Sequence, residues 1–295
     1  MTNDRLVQLT SKASVAAAFM LIIAKLYAVY TTHSLGILSS LFDSSVDMIA
    51  SIGNLIAVTI AARPADHKYQ FGYGKLEAVA ALIQSILIGA SLLFLVSEAL
   101  QRFFSNDITV THSTTGIWVM ALSIVMTLGL TAFQRYTIQR TQSLAIKADM
   151  LHYKTDTAVN IVVLISLFLN TYYNNIDTIA CIGICGYVMW ATRHIVVESL
   201  EVLLDKEINV KDQSNIKAIL NNHPSVKGFH NFRTRSSGKR IFIEAHIEMD
   251  PKLTLVEAHN IAHDLKDAVE AVYPHSEMIV HQDPVGYDES SERRF

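Results

Sequence analysis

The 295-residue chain is 51% hydrophobic and 17% charged, whereas an average soluble domain carries roughly 25% charged residues. So little charge argues against a wholly water-soluble protein. A formal net charge of −3 says little about partners, but the absence of a Lys/Arg-rich tract with interleaved aromatics argues against nucleic acid, and two cysteines give no sign of a disulfide framework.

The charges are unevenly spread. Residues 78–97, 108–134 and 157–176 are free of Asp, Glu, Lys and Arg, and each run meets the ~20 residues that cross a bilayer core. With three interrupted runs they predict six membrane helices, at about 13–32, 36–62, 77–101, 112–134, 145–171 and 177–200. The first carries Lys25, whose long stem allows snorkelling or pairing with a neighbour. The second carries Asp43 and Asp47. The sixth has Arg193 near its end and places Cys181 and Cys185 on one face. Thiolates there could bind a soft metal, but the small residues of CIGICG are read as close helix packing. The first apolar run leads straight into a full span, without the short core and cleavage site of a removable signal.

Basic residues set the expected orientation. Arg5 and Lys12 precede the first span, Arg63, Lys68 and Lys75 follow the second, and Arg135, Arg140 and Lys147 follow the fourth. The opposite connections hold only Arg102. Both termini are therefore expected on the cytoplasmic side.

Beyond Asp205 charged residues return at ordinary density. Residues 206–285 read as a small cytosolic α+β domain, ordered αββαβ. VKDQSNIKAILNNHP is an amphipathic helix stopped near Pro224, VKGFHNFRTR and KRIFIEAHIEMD are strands joined by an SSG turn, and EMIVHQDP is a third strand. Between them TLVEAHNIAHDLKDAVEAVYP is a helix, with Thr254 as N-cap and Glu257 completing a capping box. The polar tail 286–295 is expected to be disordered. The predicted fold class is a membrane all-α six-helix bundle followed by a metallochaperone-like α+β domain.

Asp43 and Asp47 are one helical turn apart on the second span, and His152 and Asp156 repeat the spacing on the fifth. Carboxylates at bilayer depth are costly and mark functional sites. Three carboxylates and an imidazole from two packed helices suit a tetrahedral divalent metal site. With a neutral His the set carries −3, so a divalent ion leaves −1. Excess negative charge in a low dielectric favours proton uptake when metal leaves, which couples transport to protons. The competing reading is a set of buried polar groups bonding neighbouring helices, together with Ser44, Ser45, Ser51 and Asn54. Matched pairs on two spans favour the metal.

A second constellation lies in the cytosolic domain: His230 on the first strand, His246 on the second, His281 and Asp283 on the third. A single strand histidine is ordinarily surface or filler, yet these three are compatible with one shared face. His259 and His263 form an i, i+4 pair on a helix that could chelate zinc unaided.

The D-x3-D and H-x3-D pairs, six N-in helices and a His-bearing αββαβ tail resemble the cation diffusion facilitator family, most closely its bacterial ferrous-iron and zinc efflux branch. SLFDSSVDMIASIGN, PADHKYQFGYGKLEA, LHYKTD, LLDKE, GFHNFRTR and MIVHQDP carry the resemblance over nearly the whole chain. It implies proton-coupled export of divalent metal by a homodimer, with Asp43, Asp47, His152 and Asp156 as transport site. It further implies a two-metal cytosolic site with ligands at His230, His246, His259, His281 and Asp283, the last able to bridge two ions. It also implies a dimer-locking charge contact at the positions of Lys75 and Asp205. His263 matches no ligand and is taken as surface.

Two departures from the family pattern stand out. Asn231 replaces an Asp common after the first strand His, lowering acidity there. Relatives place an Asp and two His between the second and third helices, where this chain has Asp66 but Tyr69 and Tyr73 at the histidine positions. A neutral phenol is a poor zinc ligand, so a loop site is expected to be lost unless His67 beside Asp66 substitutes.

The expected function is therefore secondary active efflux of divalent cations, not an enzyme: Zn2+ first, Fe2+ and Cd2+ next, with protons as the exchanged ion and no organic cofactor. A non-transporting membrane metal sensor would keep the cytosolic histidines without needing the membrane set. A proton-coupled carrier of organic cations would need neither histidine group. The chain contains no HE dipeptide, which excludes the H-E-x-x-H metalloprotease.

Overall fold

The structure is a computed structural model, and residues 2–32, 35–105, 114–169 and 176–286 are described. Two compact units emerge. One holds the chain up to Lys68 together with Lys75–Leu200; the other holds Tyr69–Gly74 and the chain from Glu201 on.

Six long helices build the first unit: α1 (Asn3–Thr32), α2 (Leu35–Ala61), α3 (Leu76–Ser105), α4 (Thr114–Thr141), α5 (Leu144–Leu169) and α6 (Ile176–Leu203). α1 starts ten residues before the expected span and α4 runs seven past it, because both helices carry on as polar segments. Among the described residues, five of the six contain a stretch long and apolar enough to cross a membrane. α5 carries Lys147, Asp149, His152, Lys154 and Asp156 in its first half.

The polarity of this unit is inverted relative to a soluble bundle. Large apolar side chains such as Tyr27, Leu93, Phe94, Trp118 and Val125 point outward, whereas Thr10, Ser14, Ser51, Gln84, Gln134 and Thr137 are buried. Water would penalise that outer surface and lipid would not, so the bundle belongs in a bilayer. Small hydroxyls recover their hydrogen bonds inside. Thr10 and Thr137 join α1 to α4 at 2.6 Å, and Thr157 donates to Thr127 at 2.8 Å between α5 and α4. α6 joins through Cys185 and Val188, buried with Ile88 and Leu92 of α3, and through a 2.7 Å pair between Glu198 and Lys147 of α5. Cys181 and Cys185 form no disulfide, and Cys185 is buried in the core.

The second unit is a three-stranded sheet carrying two helices, α7 (Val210–Asn221) and α8 (Leu255–Val272). β1 (Gly228–Ser237) pairs antiparallel with β2 (Arg240–Met249), and β2 pairs parallel with β3 (Ser276–Pro284). The expected SSG turn shifts by two residues. Ser236 and Ser237 remain paired to Ile241 and Arg240, so the reversal falls on Gly238, with φ of 61°, and Lys239. Ile243, Ala245 and Ile247 of β2 pack with Ile216 and Leu220 of α7 and Leu265 and Val269 of α8. Thr254 and Glu257 form the anticipated capping box at the start of α8.

Alternation along β2 leaves Phe242, Glu244, His246 and Glu248 on the face away from these helices. At one end of that face lies the connection Tyr69–Gly74. Phe71 meets Phe242 edge-on at 5.3 Å, and the Arg235 guanidinium stands over Phe71 at 4.5 Å. Gly74 lies so close to the backbone of Ser237 and Gly238 that a side chain there would collide with it.

Candidate metal centres

In the membrane unit, helix spacing brings α5 against α2 at the turns that carry the acids and the histidine. His152, buried, points Nε2 at Asp47 Oδ1, 2.9 Å away, and lies 3.5 Å from Asp156 Oδ2 one turn along its own helix. The ligand atoms of Asp47, His152 and Asp156 all lie within 4.8 Å of one another, close enough for one ion to bind all three. Asp43, exposed one turn earlier on α2, is outside this converging group.

In the second unit, strand register does the gathering. His230, His246 and His281 occupy matched positions on β1, β2 and β3, with ring centroids 5.1 and 4.4 Å apart. Asp283, only 6% exposed, sits among them. Its Oδ2 is 3.0 Å from His246 Nδ1 and 3.4 Å from His230 Nε2, and its Oδ1 is 3.0 Å from His281 Nε2. A carboxylate presenting its two oxygens to different imidazoles has the geometry of a bridge. The atoms of His230, His246 and Asp283 lie within 4.8 Å of one another.

Model domains of known families match both halves of the chain. "Cation efflux transmembrane domain" covers residues 11–204 and "Cation efflux protein, cytoplasmic domain" covers residues 208–285. The chain belongs to the cation efflux, or cation diffusion facilitator, family. It is 39% identical over 282 residues to the cation-efflux pump FieF of Pectobacterium carotovorum subsp. carotovorum, spanning 95% of this chain and 94% of that protein. With the FieF pump of Klebsiella pneumoniae subsp. pneumoniae it shares 36% identity over 297 residues, 99% of each. Among solved structures it is similar to the metal-bound C-terminal domain of the CzcD transporter from Thermotoga maritima, at 28% identity and a TM-score of 0.26, covering 27% of this chain and 94% of that one. As a member of this family the chain is a transporter, not an enzyme, and its bundle is a multi-pass membrane domain.

Other residues expected to match the family's ligands are placed as follows. His259 is exposed on α8, its ring 6.4 Å from that of His263, which pairs with Asp267 at 3.2 Å. α8 packs on the opposite side of the sheet from the His246 face, so His259 does not join the cluster within one chain. Asp66 accepts a 2.9 Å hydrogen bond from the backbone N–H of Lys68, and neither it nor His67 belongs to a converging group among the described residues. Tyr69 and Tyr73 pack ring to ring at 4.8 Å. Asp205 lies two residues past α6 with φ of 58° and stands 3.6 Å from Arg235, and Lys75 lies one residue before α3.

Three features of the cation efflux sites escaped sequence reasoning. Asn231 adopts a left-handed φ of 48°, in a bulge between His230 and Arg233. His230 and Arg235 are five apart, so strict alternation would split them between faces. The extra residue keeps both on the outer face, and asparagine tolerates that φ. Glu248 was the second omission: its Oε1 lies 3.1 Å from His230 Nδ1 and fixes that ring. It was hinted at by its place two residues after His246 on an alternating strand.

Asp149 is the third. One turn before His152, and 0% exposed, its Oδ2 accepts from Ser14 of α1 at 2.6 Å and Gln134 of α4 at 2.8 Å. Tyr153, alongside, bonds Ser51 of α2 at 3.0 Å. Asp149 thus ties three helices together beneath the ligand-bearing turn. A second acid inside the fifth span, beside Asp156, was a readable signal.

Proposed function

We propose that this protein exports divalent metal from the cytoplasm in exchange for protons. Asp47, His152 and Asp156 hold the ion and Asp43 closes on it as fourth ligand from one turn away. The observation that carries this reading is the 2.9 Å contact between His152 Nε2 and Asp47 Oδ1. Two acceptor atoms do not approach so closely without a proton between them. A metal ion bound to those same atoms takes that proton's place, and release of the proton from an imidazolium, rather than its shift to Nδ1, is the step that exchange requires. Exchange follows from two ions competing for one pair of atoms.

Zn2+ is the favoured cargo, because an imidazole among carboxylates suits a borderline ion, with Fe2+ and Cd2+ as further substrates. Several relatives are FieF cation-efflux pumps. Residues 1–205 form the membrane domain and 206–285 the cytosolic domain, divided near where the two family matches meet. Lys/Arg bias places both termini on the cytoplasmic side of a bacterial inner membrane.

The working unit is a homodimer. A second copy is what gives exposed His259 a route to the His246 face, and Lys75 with Asp205 supplies the charge contact that locks the pair. Cytosolic metal at His230, His246, His281 and Asp283 stabilises the docked arrangement of the domains, so transport responds to cytoplasmic metal level. The loop at Asp66 and His67 holds no ion.

The test is flux into proteoliposomes carrying the full-length protein, with Zn2+, Fe2+, Cd2+ and Mn2+ compared under an imposed pH gradient. Zn2+ flux that rises with the gradient and shifts the lumenal pH in step supports exchange. Flux indifferent to the gradient overturns it.

A further inference from the structure

Lys25 lies in α1, thirteen residues beyond Lys12 and deep in an apolar stretch. Of the two courses open to a lysine there, snorkelling or pairing, the structure shows pairing, with its ammonium held by α2. Nζ donates to the Ser40 carbonyl at 3.0 Å and to Ser44 Oγ at 2.6 Å. Ser44 follows Asp43 directly and precedes Asp47 by three residues, so the ammonium is bound to the stretch of α2 that carries both acids. The charges acting on it are all carboxylates of the proposed transport site: Asp47, Asp156 and Asp43.

We infer that Lys25 is a tethered counter-cation of the transport site, a specificity residue that makes the site electrically neutral when it holds one divalent ion. Three carboxylates, a neutral imidazole, one ammonium and one divalent ion sum to zero. Without the ammonium the loaded site keeps one negative charge in a low-dielectric setting, which holds the ion more tightly and slows its release. A monovalent ion leaves the site short of neutrality, and a trivalent one exceeds it. The two hydrogen bonds from α2 keep the ammonium beside the acids without making it a ligand, since an ammonium has no lone pair to give a metal.

This inference rests on the transport site proposed above, and the test separates the two. Zn2+ flux is measured against concentration for the full-length protein in proteoliposomes, for wild type, Lys25→Met, Lys25→Gln and Lys25→Arg. Gln retains a donor for Ser40 and Ser44 while losing the charge; Arg retains the charge. Loss of the charge is expected to lower KM at least about fivefold and to lower kcat with it, the effect of one charge removed at short range in a partly screened site. Lys25→Arg is expected to keep both within about twofold. A KM unchanged or raised in Lys25→Gln overturns the counter-cation. If Lys25→Met fails to insert, the comparison of Lys25→Gln with wild type decides. If the wild type carries no Zn2+, the transport reading itself falls and the counter-cation falls with it.

Discussion

His152 Nε2 and Asp47 Oδ1 stand 2.9 Å apart although 105 residues separate them in the chain. That contact closes α5 onto α2 at the atoms of the proposed transport site. Replacing His152 by Asp would turn the site into one of carboxylates alone. Harder, all-oxygen ligation favours Mn2+ over Zn2+, so His152→Asp is expected to shift the Mn2+/Zn2+ flux ratio by about tenfold toward Mn2+, read in proteoliposomes with both ions present.

Asp283 touches all three strand histidines, at 3.0 Å from His246 and His281 and 3.4 Å from His230. Its loss removes the common partner. Wild type saturated with Zn2+ at about a hundred times its dissociation constant should gain about 2.7 kcal/mol of stability, lost on adding a chelator. In Asp283→Ala the chelator-sensitive rise in the melting temperature of the cytosolic domain should disappear. A rise of wild-type size would show that the ion sits elsewhere.

Asp149 is fully buried, and two donors, Ser14 and Gln134, converge on one of its oxygens. Asp149→Ala leaves both without that acceptor, at a cost of about 2 kcal/mol given the modest worth of hydrogen bonds between membrane helices. Denaturant unfolding of the protein in micelles should show the loss, with Ser14→Ala costing less because Gln134 keeps its bond to Asp149.

Glu257 accepts hydrogen bonds from the Thr254 backbone N–H at 2.7 Å and the Thr254 hydroxyl at 2.8 Å. The backbone bond first, then the hydroxyl, holds its carboxyl below the ordinary 4.5. A carboxyl whose folded value is depressed stabilises the fold above its unfolded value, and that contribution fades as pH falls through the folded one. The melting temperature of wild type should therefore exceed that of Glu257→Gln near neutrality, and the gap should close as the solution is acidified below 4.5. A gap independent of pH would assign the cap to shape alone.

Much of this was written in the sequence because it depends on period. The i, i+4 spacing of Asp43 with Asp47 and of His152 with Asp156 placed the acids on helix faces, and alternation in β2 separated Ile243, Ala245 and Ile247 from His246. Single residues acting across long separations were not legible. The bulge at Asn231 is set by the need to keep His230 and Arg235 on one face. Phe71 finds Phe242 and Arg235 only once the sheet exists, and Asp149 finds Ser14 and Gln134 only once α1 and α4 pack on α5. The displaced hairpin turn has the same origin: pairing of Ser236 and Ser237 with β2 outweighed their local preference for a turn.

Competition between one divalent ion and protons for the atoms joining Asp47 to His152 is tested most directly by Zn2+ flux into proteoliposomes under a fixed pH gradient. Wild type is compared with Asp47→Ala, an equal amount of each protein being confirmed as folded and inserted. Exchange at these atoms predicts gradient-driven flux in wild type and a fall to the protein-free leak in Asp47→Ala. Wild-type flux surviving that substitution would contradict it.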